Sequence, residues 1–257
     1  MKNLRAITYY DIFEKNARMN GSACALSWDH HTTDYQTLFS QTRSLACGLN
    51  QLNLPPGARV AVLCKNHPFF FHLFGAASAL NLCLVLMNRR LSGDELSHIV
   101  EDTRPTVLFY DEGMAGQAAE LAKSAAGIAH LFMVSEQAAD FNSLYTQGEL
   151  SEPLSQAPGD PFAIIHTAAV LGKPRGAVLS QENIILANQQ IIQAYDLGPD
   201  KTYLNILPLF HIMGVNLGLG TLQAGGRNVI MEKFDAQKAL GLITEQKVNI
   251  FGSFPPI

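Results

Sequence analysis

Between Arg59 and Val134 the chain passes through four short apolar runs, RVAVLC, CLVLM, TVLFY and AHLFMV, each separated from the next by a segment of helical length. Runs of this size, rich in valine, leucine and phenylalanine, read as strands. The intervening segments carry helix signals, such as Ser92 followed by Asp94 and Glu95. Strands that alternate with helices imply a parallel sheet covered on both faces, because each parallel connection must cross over the sheet.

The flanking sequence extends this pattern. Residues 8–19 read as a helix, 23–28 as a strand and 29–33 as a polar turn. A helix from Asp34 then carries Leu38, Leu45, Leu49 and Leu52 on one face until Pro55, Pro56 and Gly57 stop it. Residues 151–161 (SEPLSQAPGDP) are polar and rich in breakers. The expected architecture is α/β, with two layered lobes whose largely parallel sheets are flanked by helices. The expected division is a first lobe at 1–152, a connector at 153–160 and a second lobe at 161–257.

Two stretches, Phe69–Met87 and Tyr203–Gly226, carry no Asp, Glu, Lys or Arg and reach transmembrane length. Both contain histidine, asparagine and glycine, and neither is flanked by basic clusters. They read instead as buried elements of an α/β core. A net charge of −4 gives no general attraction to nucleic acid or anionic lipid. Cys24, Cys47, Cys64 and Cys83 are scattered with no C-x-x-C pair, so a reduced set is expected. The first fourteen residues include acidic ones and no apolar core of signal length, and a cytoplasmic location follows as the simplest expectation.

The most informative stretch is His166–Ser180, HTAAVLGKPRGAVLS. Lys173 and Arg175 flank Pro174, whose ring fixes one backbone angle, and Gly172 and Gly176 bracket the group. Two cations on a stiffened turn suit a polyphosphate. A Walker loop is excluded, because Thr167 stands where its first glycine belongs and Pro174 where its hydroxyl residue belongs. No G-x-G-x-x-G occurs in the stretch either. On these residues alone, a strand-turn-strand with a solvated Lys-Arg pair stays open.

The stretch resembles the phosphate-binding loop of the adenylate-forming, or AMP-binding, superfamily, which includes acyl-CoA synthetases, aryl-CoA ligases, luciferases and peptide-synthetase adenylation domains. That loop reads Thr-Ser-Gly-Thr-Thr-Gly-any-Pro-Lys-Gly. Thr167, Gly172, Pro174 and Gly176 match it, Lys173 takes the free position and Arg175 replaces the lysine with its charge kept. Ala168, Ala169, Val170 and Leu171 replace Ser, Gly, Thr and Thr. Hydrogen bonds to a charged group contribute about 1.5 to 3 kcal/mol each, so losing three hydroxyls weakens ATP binding unless backbone N–H groups take over. Further matches to the N-terminal lobe of acyl-CoA synthetases are Tyr35 with Leu38, the Pro-Pro-Gly turn before RVAV, and NRRLSGDEL at 88–96 with Ile99 and Asp102.

A second segment, LPLFHIMG at 207–214, resembles the family's Pro-any-Phe-His-any-any-Gly, which lines the acyl or aryl pocket; Pro208, Phe210, His211 and Gly214 match. A lone histidine in an apolar setting also fits a satisfied core residue. Phe210 and His211 stand where peptide-synthetase domains carry Phe-Asp-any-Ser, which argues against an amino-acid substrate.

The resemblance implies the N-terminal portion of an acid-thiol ligase that forms an acyl-adenylate from a fatty or aryl acid and ATP, then transfers the acyl group to coenzyme A. It implies Mg2+ as cofactor, a phosphate site of Thr167, Gly172, Lys173, Arg175 and Gly176, and a pocket of Phe210, His211 and Gly214. His211 would face the reacting carboxylate. A homodimer stays open. The family's magnesium, ribose, hinge and lid residues are not found in these 257 residues, so the stretch is expected to be inactive by itself. Two other readings remain: a degenerate domain kept as a binding or regulatory module, for which Ala168 and Ala169 argue, and an unrelated α/β domain.

Overall fold

The structure is a computed structural model and describes residues 7–124, 127–146, 148, 150, 153–154, 156–167 and 173–253. The chain begins with α1 (Tyr9–Asn20), β1 (Cys24–Trp28), β2 (His31–Asp34) and α2 (Tyr35–Asn50). It continues through β3 (Arg59–Leu63), α3 (Phe69–Ala79), β4 (Cys83–Leu86), α4 (Gly93–Thr103), β5 (Val107–Tyr110), α5 (Ala115–Ser124) and β6 (His130–Met133). After α6 (Ala139–Asn142) come β7 (Pro161–His166), β8 (Gly176–Ser180), α7 (Gln181–Ala194) and β9 (Thr202–Asn205). The last elements are α8 (Ile212–Gln223), β10 (Arg227–Ile230), α9 (Ala236–Glu245) and β11 (Ile250–Phe251).

Several helix starts follow from capping side chains. Ser92 and Glu95 form a reciprocal capping box that opens α4, Thr8 and Asp11 do the same for α1, and Asp235 accepts from the Lys238 N–H at the start of α9. Each satisfies N–H groups that a first helical turn leaves without partners.

Two compact units are assembled from interleaved parts of the chain. The first takes Arg43–Cys64 and the described residues of 76–181; the second takes Ile7–Thr42, Lys65–Gly75 and 182–253. The expected connector at 153–160 therefore lies inside the first unit, and β7, which follows it, pairs in parallel with β4. Breakers are a local signal, whereas sheet membership is set by pairing over long sequence distances.

The first unit holds a six-stranded sheet in the order β6-β5-β3-β4-β7-β8. All its pairings are parallel except that of β8 with β7. Its core includes Leu63, Val85, Leu96, Ile99, Val100, Leu108 and Leu121. Such side chains contribute roughly 1.5–3 kcal/mol each on leaving water. The second unit holds a five-stranded sheet in the order β11-β9-β10-β1-β2, parallel except for β2. Tyr203, Leu204, Leu207, Leu217 and Val229 lie in its core. In both sheets the antiparallel strand follows a short reversal, while parallel neighbours are joined by longer crossovers.

The uncharged stretches become α3 with β4 and β9 with α8. No helix among the described residues is long and apolar enough to cross a membrane. All four cysteines are free thiols. Burial pushes the Cys83 thiol up to about 11 and the Cys64 thiol well above its ordinary range.

Candidate functional site

The cationic turn leaves the carboxyl end of β7, where ligand-binding loops of open α/β sheets arise. Phe162–Ile165 are buried beside β4, and the chain then reverses so that His166 pairs with Gly176. One step further, the Thr167 N–H donates to the Arg175 carbonyl at 3.0 Å, and the Thr167 hydroxyl reaches the same oxygen at 3.4 Å. The base of the loop is thus closed by backbone pairing. Pro174 is buried, while Lys173 and Arg175 on either side are exposed. Neither cation has a hydrogen-bond or ion-pair partner among the described residues. Gly172 and Ala168–Leu171 lie outside the described residues.

Gly176 answers a packing demand. A Cβ there would stand 2.7 Å from Ile164 Cγ2 and 3.0 Å from His166 Nε2. Neither ring nitrogen of His166 has a hydrogen-bond partner among the described residues. Burial holds its imidazole below the ordinary range, with the Asp102 carboxylate opposing and His98 adding to the shift.

The second segment leaves the carboxyl end of β9 in the other unit. Pro208–His211 is a tight turn closed by the His211 N–H donating to the Pro208 carbonyl at 3.0 Å. Leu209 is fully buried, Phe210 half-buried and His211 exposed. His211 is the N-cap of α8, and its Nδ1 accepts from the Met213 N–H at 3.4 Å. It is therefore not the apolar core residue that its neighbours also allowed.

Gly214 lets the first turn of α8 lie directly on this segment, since a Cβ would fall 2.2 Å from the Pro208 carbonyl oxygen. The other α8 glycines meet side chains instead of backbone. Gly218 faces the Phe71 ring and the Asn205 amide, and Gly220 faces the Asn188 side chain.

The chain matches the family described as "AMP-binding enzyme" over residues 13–257. It belongs to that family. Feruloyl-CoA synthase from Amycolatopsis sp is 28% identical over 94% of this chain and 47% of its own length. The long-chain-fatty-acid–CoA ligase FadD13 of Mycobacterium tuberculosis is 28% identical over 88% of this chain and 46% of its own length. A crystal structure of a putative long-chain-fatty-acid CoA ligase from Rhodopseudomonas palustris CGA009 superimposes with a TM-score of 0.93 at 31% identity, covering 99% of this chain and 65% of that one. The chain spans about half the length of the curated relatives it matches. The two-sheet α/β architecture is that of acyl-CoA synthetase N-terminal domains.

Within this member of the AMP-binding enzyme family, Thr167, Lys173, Arg175 and Gly176 belong to the first unit and Phe210, His211 and Gly214 to the second. Among the described residues no group of three or more His, Cys, Asp or Glu side chains could hold a metal ion. Sequence reasoning passed over Asn66, which makes three hydrogen bonds into the ends of β9 and β10 in the second unit. Its only local signal is a polar residue between an apolar strand and the His67-Pro68 step that precedes a helix.

Proposed function

We propose that this chain supplies the phosphate-binding and acid-facing segments of a cytoplasmic, ATP-dependent carboxylic acid:CoA ligase acting on a fatty or aryl acid. The observation that carries this reading is the turn Lys173-Pro174-Arg175, with two exposed cations beside a buried proline on a hairpin closed at its base. Such a turn offers charge to the β- and γ-phosphates at little ordering cost, and Arg175 adds a planar set of donors. The names of the relatives, a feruloyl-CoA synthase and a long-chain-fatty-acid–CoA ligase, support the class of acid.

In the first step a carboxylate oxygen of the acid attacks the α-phosphorus of ATP. The bond to the β-phosphate oxygen breaks, giving an acyl-adenylate and pyrophosphate. Lys173 and Arg175 stabilise the charge that gathers on the leaving pyrophosphate, and Thr167 donates to a phosphate oxygen. His211 faces the carboxylate of the acid, and Phe210 walls the acyl group. No general base is required, because the nucleophile is already an anion. In the second step the sulfur of coenzyme A attacks the acyl carbon and AMP leaves. Mg2+ bound with the nucleotide would screen phosphate charge beside Lys173 and Arg175; among the described residues no group of three or more His, Cys, Asp or Glu side chains could hold it.

The test is acid-dependent pyrophosphate release by the intact protein, measured with an aryl acid and with a long-chain fatty acid. Release that requires both ATP and one of these acids is expected. The second reading, a non-catalytic module, rests on Ala168 and Ala169 in place of Ser and Gly. Calorimetry without detectable binding of Mg-ATP at millimolar concentration, together with no pyrophosphate release, would favour it instead.

A further inference from the structure

Asn66 lies just after β3 and is 6% exposed. Its side-chain nitrogen donates to the carbonyl of Leu207 at 2.9 Å and to that of Met231 at 3.2 Å, while its side-chain oxygen accepts from the Leu209 N–H at 2.8 Å. One amide thereby ties together the segments that leave the carboxyl ends of the neighbouring strands β9 and β10. It grips the first of them on both sides of Pro208, within two residues of His211. Two donors and one acceptor are needed at this point, a combination that the short asparagine amide supplies in a single plane. The backbone groups it satisfies include the Leu209 N–H, which belongs to a fully buried residue. An orphaned buried N–H is costly enough to drive a local rearrangement.

From this geometry we infer that Asn66 is a positioning residue for the acid-facing turn, fixing Leu207–Leu209 so that Phe210 and His211 are presented in one orientation. The inference rests on the reading of Phe210 and His211 given above. It extends that reading to a residue 145 positions earlier, a separation given by the numbers of Asn66 and His211. Asn66 acts through the backbone and touches no reacting atom. Its loss therefore changes the handling of the acid and leaves the handling of ATP alone.

The experiment is steady-state pyrophosphate release by the intact protein carrying Asn66→Ala, with the KM for acid and for ATP measured separately. The expected result is a KM for acid raised about tenfold or more with the KM for ATP within about twofold, since one orphaned buried donor carries an effect of that size. In a His211→Ala background the same substitution should add little, because both changes disable one segment. Unchanged KM for acid in a folded Asn66→Ala protein overturns the inference, and so does an equal rise in both KM values. Asn66→Asp is the second variant. It keeps the size and the acceptor but turns a carboxylate toward two carbonyl oxygens, so its acid KM should approach the wild-type value as the pH is lowered and the carboxyl gains a proton. Failure of both variants to fold while His211→Ala folds would assign Asn66 to stability alone and overturn the inference as well. If the wild-type protein releases no pyrophosphate, the proposed function fails separately. Amide exchange then decides about Asn66: the Leu209 N–H should exchange about tenfold faster in Asn66→Ala, and an unchanged rate refutes the positioning role.

Discussion

The two candidate site segments are built in opposite ways. The β7–β8 turn is closed at its base by the backbone of Thr167 and Arg175, and beyond that it presents charge: Lys173 and Arg175 are exposed and unpaired among the described residues. The Pro208–His211 turn is held from several directions. Asn66 holds it at Leu209 and at the preceding Leu207 and ties both to Met231, α8 lies on it through Gly214, and His211 caps that helix. A mobile, highly charged polyphosphate brings strong Coulombic attraction and can be met by long side chains that reach out. A carboxylate that must attack along one line needs a wall already in place. The difference predicts that substitutions in the first turn change affinity and spare stability, while those in the second change both.

The largest effect is expected at Gly214. In Gly214→Ala a Cβ would stand 2.2 Å from the Pro208 oxygen, and the close backbone leaves little room for relief. A loss of about 3 kcal/mol in unfolding free energy, read by denaturant titration, is the cost of overpacking at such a contact. A loss below about 0.5 kcal/mol, the range of an ordinary surface change, would remove the contrast between the two turns. Arg175→Ala should do the reverse. Mg-ATP affinity measured by calorimetry should fall about ten- to a hundredfold, the worth of a charge-assisted hydrogen bond, with stability within about 0.5 kcal/mol of wild type. Unchanged affinity would take Arg175 out of the site.

Most of the strands were legible because their burial is local. RVAVL, CLVL and VLFY are apolar enough to identify themselves, and the capping side chains of α4 and α9 stand beside the helices they open. Strand β2 covers His31–Thr33 of the expected polar turn and Asp34 of the expected helix, since HTTD has no apolar alternation; it is a strand because it pairs back onto β1. The interleaving of the two units has no local signature, and the break anticipated at 153–160 followed composition alone. The frame proposed for the phosphate loop rests on matching residues in the sequence, and five of its positions, 168–172, lie outside the described residues. Asn66 could not, because its partners lie 141, 143 and 165 positions away and only the folded chain brings them together. His211 was recognised as a candidate from its neighbours, but its place as a helix cap depends on where α8 begins.

Each unit also carries a histidine that burial keeps neutral, which extends the contrast to pH. In the second unit His72 is fully enclosed in α3, and burial, with His67 adding, holds its imidazole at about 3. The unfolded chain therefore binds a proton at this position between about pH 6.5 and 3 that the folded chain does not. Stability from this group is complete above the unfolded value and falls by roughly 1.4 kcal/mol for each pH unit of acidification within that window. Denaturant titrations at pH 7 and pH 5 should show this fall, and His72→Gln should flatten it; an equal slope in both proteins would mean that His72 is protonated in the folded state. In the first unit His166, at the base of the cationic turn, is shifted in the same direction, so its contribution is also lost as the pH drops below the ordinary histidine value. It is only half enclosed, and Asp102 favours its charged form. His166→Gln should therefore flatten the pH profile by less than His72→Gln. A larger effect at His166 would place the greater electrostatic cost at the base of the cationic turn and reverse the contrast between the two units.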